Sequence, residues 1–159
     1  MDADVELVFD TLYERKPSDN QSCFVVNQAG LTLLKSSESY VPLIEQVLRE
    51  LVDPALSGDR SHTRTFPGLD YVLGAYMVLG VKANPDRVVG FLATLSAPLL
   101  VEAVKNIPVF FAPEGEGYSP GIAPSQELKK FVRELSKSES EDVRTAAARV
   151  MDRLIEDER

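Results

Sequence analysis

Apolar residues recur at steps of three and four along most of the chain, the spacing that gathers side chains on one face of an α-helix. The pattern first predicts a helix over 2–16, which Pro17 would end. Val5, Val8 and Leu12 supply its apolar face. The acidic residues of this segment are expected to line a second, solvated face: Glu6, Asp10 and Glu14.

The most regular apolar stripe predicts a helix over 41–52. Pro42 lies in its first turn, where a proline is tolerated, and Asp53-Pro54 is expected to end it. The stripe consists of Leu43, Ile44, Val47, Leu48, Leu51 and Val52. The polar residues of the segment are expected to point away from the core: Glu45, Gln46, Arg49 and Glu50.

Five further helices are predicted downstream. The segment 67–81 is apolar on nearly every side, which is typical of a helix buried by several neighbours. Asn84-Pro85 has the cap-then-proline pattern of a helix start, and Ser138 with Glu141 forms a capping-box pattern. The predicted ranges are 67–81, 84–95, 96–106, 125–135 and 141–157.

The segment 18–36 is compatible with two structures. Ser18 followed by Gln21 has the spacing of a capping box, which favours a helix. The apolar runs 23–26 and 31–34 on either side of Asn27-Gln28-Ala29-Gly30 would also suit a β-hairpin. We favour the helix, because its neighbours are helical and helices pack most simply on helices.

The C-terminal pair of predicted helices, 124–157, resembles a HEAT-type helical repeat. The similarity lies in Glu141-Asp142-Val143-Arg144, followed by three alanines at 146–148 and then an apolar ladder of Val150, Met151, Leu154 and Ile155. The preceding helix supplies Leu128, Phe131, Val132 and Leu135. The resemblance implies an all-α fold, a short irregular α-α superhelix of the HEAT-like solenoid type. An orthogonal helical bundle is the alternative.

Composition supports a single helical domain over 1–159, interrupted by a Gly- and Pro-rich internal loop over 112–123. The apolar share of 44% is enough for a core. A lone Cys23 cannot form an internal disulfide, and with an acidic N-terminus it favours a cytoplasmic protein. No apolar stretch approaches the roughly 20 residues that span a bilayer. The net charge of −8 argues against nucleic-acid binding.

The sequence does not predict a reaction centre. His62 is the only histidine, so a His/Cys metal site cannot form, and no carboxylates have a metal-ligand spacing. Gly117-Tyr118-Ser119-Pro120-Gly121 has the spacing of a nucleophile elbow but lacks the strand that such a turn requires. We therefore predict no catalytic residue, metal or cofactor. The basic residues Arg60, Arg64, Lys82 and Arg87 are expected to be solvated.

These features favour a non-catalytic protein-binding or scaffold module. Its acidic character also suits an inhibitor or immunity-type protein that covers a basic enzyme. The predicted contacts with a protein partner are Glu114, Glu116 and Tyr118 in the internal loop and Arg60, His62 and Arg64 in a second polar segment. Two alternatives stay open. The resemblance admits a HEAT-like enzyme of the lyase type, and the aromatic residues Tyr71, Tyr76, Phe91, Phe110 and Phe111 suit a carrier of apolar ligands.

Overall fold

The computed structural model of the chain describes residues 2–14, 28–58, 66–111 and 124–156. Regular structure in these ranges is entirely helical, which confirms the predicted all-α class. The α-helices are α1 Ala3–Tyr13, α2 Gln28–Leu34, α3 Val41–Val47, α4 Asp53–Gly58, α5 Leu69–Ala83, α6 Pro85–Leu92, α7 Ala97–Phe110, α8 Gln126–Leu135 and α9 Glu141–Glu156.

Helix α1 is capped by Asp2, whose carboxylate accepts a hydrogen bond of 3.2 Å from the backbone N–H of Asp4. The helix ends at Tyr13, because Glu14 adopts a left-handed conformation with φ of 51°. The predicted solvated face was wrong for Asp10, which is buried at 6% exposure. It directly precedes Thr11 and Leu12, which are both fully buried, so this turn lies against the rest of the molecule.

The described part of the ambiguous segment is helical. Residues 28–34 form α2, so the second strand of the alternative hairpin does not exist, while 18–27 lie outside the described residues. A Cβ atom at Gly30 would lie 2.6 Å from the ring of Tyr71 in α5. Only glycine therefore permits α2 to approach α5 this closely.

The helix predicted over 41–52 exists, but Asp53-Pro54 does not end it. A π-helical turn over Leu48–Val52 connects α3 to α4, and the chain stays helical to Gly58. Proline cannot donate an N–H, and its ring clashes with the carbonyl four residues earlier, so a wider turn before Pro54 accommodates it. Glu38–Tyr40 forms a 3₁₀ turn ahead of α3.

Helix α5 lies at the centre of the fold, as its all-round apolar sequence predicts. Every residue from 72 to 80 is buried, and the helix contacts α1, α2, α3, α6 and α7. Gly80 faces Val88 of α6 so closely that a Cβ atom would overlap the valine side chain. Helix α6 begins as predicted, with the Asn84 side chain accepting from the backbone N–H of Arg87 at 3.2 Å.

Helices α7, α8 and α9 complete the structure. Helix α7 continues past the predicted end at 106 to Phe110, with Pro108 inside its last turn. Pro108 cannot donate the usual backbone hydrogen bond four residues back, but only two residues of the helix follow it. It contacts both α5 and α9, while α6 contacts α8 and α8 contacts α9. The predicted capping box of Ser138 and Glu141 does not begin α9. The Ser140 hydroxyl caps the helix instead, because it accepts from the backbone N–H of Val143 at 3.4 Å.

Candidate functional site

The partner contacts predicted from sequence all lie outside the described residues. This applies to Glu114, Glu116 and Tyr118 and equally to Arg60, His62 and Arg64, which therefore stay predictions. The same holds for Cys23, Ser119 and the side chain of Phe110. In the described ranges, two places are candidates for a functional site: a polar cluster around Glu45 and a groove between α7 and α9.

The first place is the Glu45 cluster, which consists of Glu45 in α3, Tyr76 in α5 and Arg87 in α6. The Tyr76 hydroxyl donates to Glu45 Oε2 at 2.7 Å. Arg87 Nη2 donates to Glu45 Oε1 at 2.7 Å, and Arg87 Nε donates to Oε2 at 3.1 Å. One carboxylate thereby joins three helices through a bidentate ion pair and a hydrogen bond from a neutral hydroxyl.

The cluster corrects one prediction from the sequence and refines another. Glu45 was expected at the surface, but it is buried at 7% exposure. Arg87 was expected to be solvated, and 47% of its side chain is exposed, although its guanidinium also forms an ion pair with Glu45. The burial of Glu45 has a sequence signal, since it lies four residues after Val41 and three before Leu48, which are both buried.

Burial sets the electrostatics of the cluster. The pKa of Tyr76 is raised well above its ordinary value, first by burial and then by its hydrogen bond to the Glu45 carboxylate. The pKa of Arg87 is raised by its hydrogen bond to Glu45 and by the negative charge of that group. Tyr76 is therefore a neutral donor and Arg87 a permanent cation at neutral pH.

Aromatic rings close the cluster on one side. The rings of Tyr76 and Phe91 meet edge to face with centroids 5.1 Å apart, and the Arg49 guanidinium lies 5.1 Å from the centre of the Phe91 ring. Tyr76 has no exposed surface, and Phe91 is 5% exposed. These two rings, considered above for binding an apolar ligand, thus contact each other and the core.

A second polar tie, which the sequence did not reveal, joins α4 to the start of α7. The backbone N–H of Ser96 donates to both carboxylate oxygens of Asp53 at 3.3 Å, and the Ser96 hydroxyl also donates to Asp53. Asp53 thus holds Ser96, the N-cap residue of α7, from another helix, and the Ser96 side chain makes no capping bond of its own. The tie fixes the end of α7 that borders the groove.

The groove between α7 and α9 is a part of the described surface that could hold a ligand. Its volume is about 610 Å³, and it is partly open to solvent. Apolar and small side chains alternate with charged ones along it. The groove is therefore neither a purely apolar cavity nor a surface with charges of one sign. Its lining comprises Ala97, Pro98, Val101, Glu102 and Lys105 of α7 and Glu141, Asp142, Thr145, Ala146 and Arg149 of α9.

The charges of the groove are ordered along its walls. On α7, Lys105 Nζ lies 3.6 Å from Glu102 Oε1, a pair within one helix in which Lys105 is exposed and Glu102 is half-buried. On α9, Glu141 and Asp142 occupy the first turn and Arg149 lies two turns later. The acids suit the positive end of the helix dipole. Within the described residues none of these three α9 side chains forms an ion pair, so the groove offers charges that another molecule could neutralise.

Comparison of the chain with protein-family models, with curated proteins and with solved structures found no match. Among the described residues, no group of three or more His, Cys, Asp and Glu side chains is arranged to hold a metal ion. In the same ranges, every helix is too short or too polar to cross a bilayer.

Proposed function

We propose that this chain is a non-catalytic protein-binding module and that the groove between α7 and α9 is its partner surface. The groove carries the proposal, because it combines exposed charge on α9 with a half-buried apolar floor at Ala97 and Val101. Protein interfaces have this composition, with apolar contacts inside a polar rim. Small-molecule sites instead enclose most of their ligand, which a partly open groove does not favour.

The order of helix contacts supports an irregular α-α superhelix as the scaffold of this module. Helices α5, α7 and α9 follow one another as neighbours, and α6 and α8 form a second row beside them. Alternating rows of this kind are what a stacked helical-repeat protein requires. The contacts of α1 and α2 with α5 are more typical of a bundle, so we propose that the repeat-like stacking is limited to helices α5 to α9.

The inhibitor or immunity version of this function depends on Glu114 and Glu116, outside the described residues. The inhibitor or immunity version therefore stays a prediction from the sequence. The proposed protein-binding function is tested at the groove instead.

The test compares two tryptophan substitutions on α9. Thr145 lines the groove and Ala148 does not, yet both are exposed on the same helix. Thr145→Trp should fill the groove without disturbing the core, whereas Ala148→Trp should leave the groove open. The tagged wild type and both variants would be purified from the native host, and the recovered proteins would be quantified by mass spectrometry.

We expect wild type and Ala148→Trp to recover one stoichiometric protein, either another chain or an untagged copy of this one. Thr145→Trp should recover about tenfold less, the loss of affinity that about 1.4 kcal/mol produces. Equal recovery by both variants would exclude the groove. Recovery of only a small molecule would refute the protein-binding function.

A further inference from the structure

We infer that the partner of the groove is a second copy of this chain, bound with two-fold symmetry so that the two α9 helices run antiparallel. The inference rests on the proposed function, because it takes the groove as a protein-binding surface. The observation behind it is the order of side chains on the α9 wall: acids first, small residues in the middle and a base last.

A two-fold interface uses the same patch on both subunits, so the patch must be complementary to itself. Along α9, Asp142 and Arg149 lie about 10 Å apart at 1.5 Å per residue. The midpoint between them falls at Thr145 and Ala146. A symmetry axis through that midpoint places Asp142 of each copy opposite Arg149 of the other. The pattern therefore gives two opposite-charge pairs from one sequence.

The small side chains lie where two such helices would come closest. Thr145 is exposed at this point, and Ala146 beside it is buried at 5% exposure, so no long side chain projects from the centre of this face. Small residues at a crossing point let helix backbones approach, and the flanking charges then reach across the interface. Val101 and Pro98 of α7 are half-buried and would gain cover from the opposing α9.

The mixture of acids and bases in the groove favours a second copy of the chain over a partner that is mainly basic or mainly acidic. A strongly basic protein would be attracted to Glu141 and Asp142 but repelled by Arg149, and an acidic protein would meet the reverse. The chain carries −8 overall, whereas the groove lining holds three acids and two bases and is therefore close to neutral. Two copies consequently repel each other only weakly at this face. Charges farther from the interface contribute little, because physiological salt screens interactions over distances beyond about 8 Å.

The closing experiment uses charge-swap variants of the full chain, studied by analytical ultracentrifugation. Wild type should show a concentration-dependent dimer. Asp142→Arg and Arg149→Asp should each weaken the dimer by at least about tenfold, because each places like charges opposite one another twice. An equimolar mixture of the two variants should dimerise again, since every facing pair then has opposite signs. The double variant should also dimerise.

Two exposed residues of α8, Glu127 and Arg133, provide matched controls outside the groove. Glu127→Arg and Arg133→Asp should leave the dimer unchanged, and circular dichroism should show native helix content in every variant.

A wild type that stays monomeric up to about 100 µM, a generous limit for a specific dimer, would overturn the inference. Failure of the mixed variants to associate would do the same. In either case a different protein recovered through the groove, and lost with Thr145→Trp, would leave the proposed function standing. If the chain neither dimerises nor recovers another protein through the groove, both the inference and the proposed function are refuted.

Discussion

The Glu45 cluster and the α7–α9 groove both place charged groups beside apolar side chains, but the two regions treat those charges differently. In the cluster, one buried carboxylate receives a tyrosine hydroxyl and an arginine, so the charges are satisfied within the chain. In the groove, the charges on α9 face solvent without forming ion pairs to other described residues. The comparison suggests that the first region stabilises the fold and the second is available to a partner.

The largest expected effect comes from removing the carboxylate that joins three helices. Glu45→Ala should lower the free energy of unfolding by about 2–3 kcal/mol, because it leaves the buried Tyr76 hydroxyl without its acceptor and Arg87 without its counter-ion. Asp142→Ala, in the groove, should change it by no more than about 0.5 kcal/mol. Urea denaturation followed by circular dichroism measures both. Equal destabilisation would abolish the distinction between the two regions.

A smaller effect on stability is expected from replacing Gly80, the glycine that allows α5 and α6 to pack closely beside the Glu45 cluster. Gly80→Ala should destabilise the protein by about 1–2 kcal/mol, since the new methyl group overlaps Val88 and would move Arg87 away from Glu45. Gly90, also in α6, is exposed and has no atom within 4 Å of an added Cβ. Gly90→Ala should therefore stabilise by up to about 1 kcal/mol. Thermal unfolding of both variants tests this, and stabilisation by Gly80→Ala would contradict the close helix contact.

The smallest effect concerns the Tyr76 hydroxyl and its pH dependence. Tyr76→Phe should cost about 1 kcal/mol at neutral pH, the loss of one buried hydrogen bond. The folded protein holds the pKa of Tyr76 above the ordinary 10.0, so above pH 10 the unfolded chain releases a proton that the folded chain retains. Stability from this group is thus present below pH 10 and is lost as pH rises beyond it, by up to about 1.4 kcal/mol per pH unit.

The pH prediction is tested by measuring unfolding free energies between pH 8 and 11 in urea. Wild type should lose stability more steeply than Tyr76→Phe above pH 10. Tyr40 is a comparison residue, because it is more exposed and its hydroxyl donates to Asp4 near the N-terminus. Tyr40→Phe should alter the curve less than Tyr76→Phe. Parallel curves for wild type and Tyr76→Phe would show that the hydroxyl titrates normally.

Helix positions follow from the sequence because apolar periodicity and caps are local signals. The buried centre at α5 and the starts of α6 and α7 were predicted in this way. The continuation through Pro54 was missed because a π-helical turn depends on how α3 and α4 pack, not on the proline alone. Ser138 and Ser140 both precede acidic residues, so the choice of cap also depended on the final geometry of the turn.

The two polar regions could not be assembled from sequence for a different reason. Glu45 and Arg87 are 42 residues apart, and Asp53 and Ser96 are 43 apart, so no local pattern pairs them. Glu141 and Asp142 of the α9 wall belong to a sequence pattern noted above, but no pattern indicated that α7 supplies the other wall. Which helices become neighbours is decided by the way their apolar faces cover one another, and many pairings satisfy the same periodicity.

The central position of α5 has a consequence for synthesis on the ribosome. Helices α1 to α4 precede α5 in the chain, and α1, α2 and α3 all pack against it. During translation, at about 5–20 residues per second, their apolar faces remain uncovered until α5 has left the exit tunnel. A translational pause before α5 emerges would lengthen the exposure of these apolar faces.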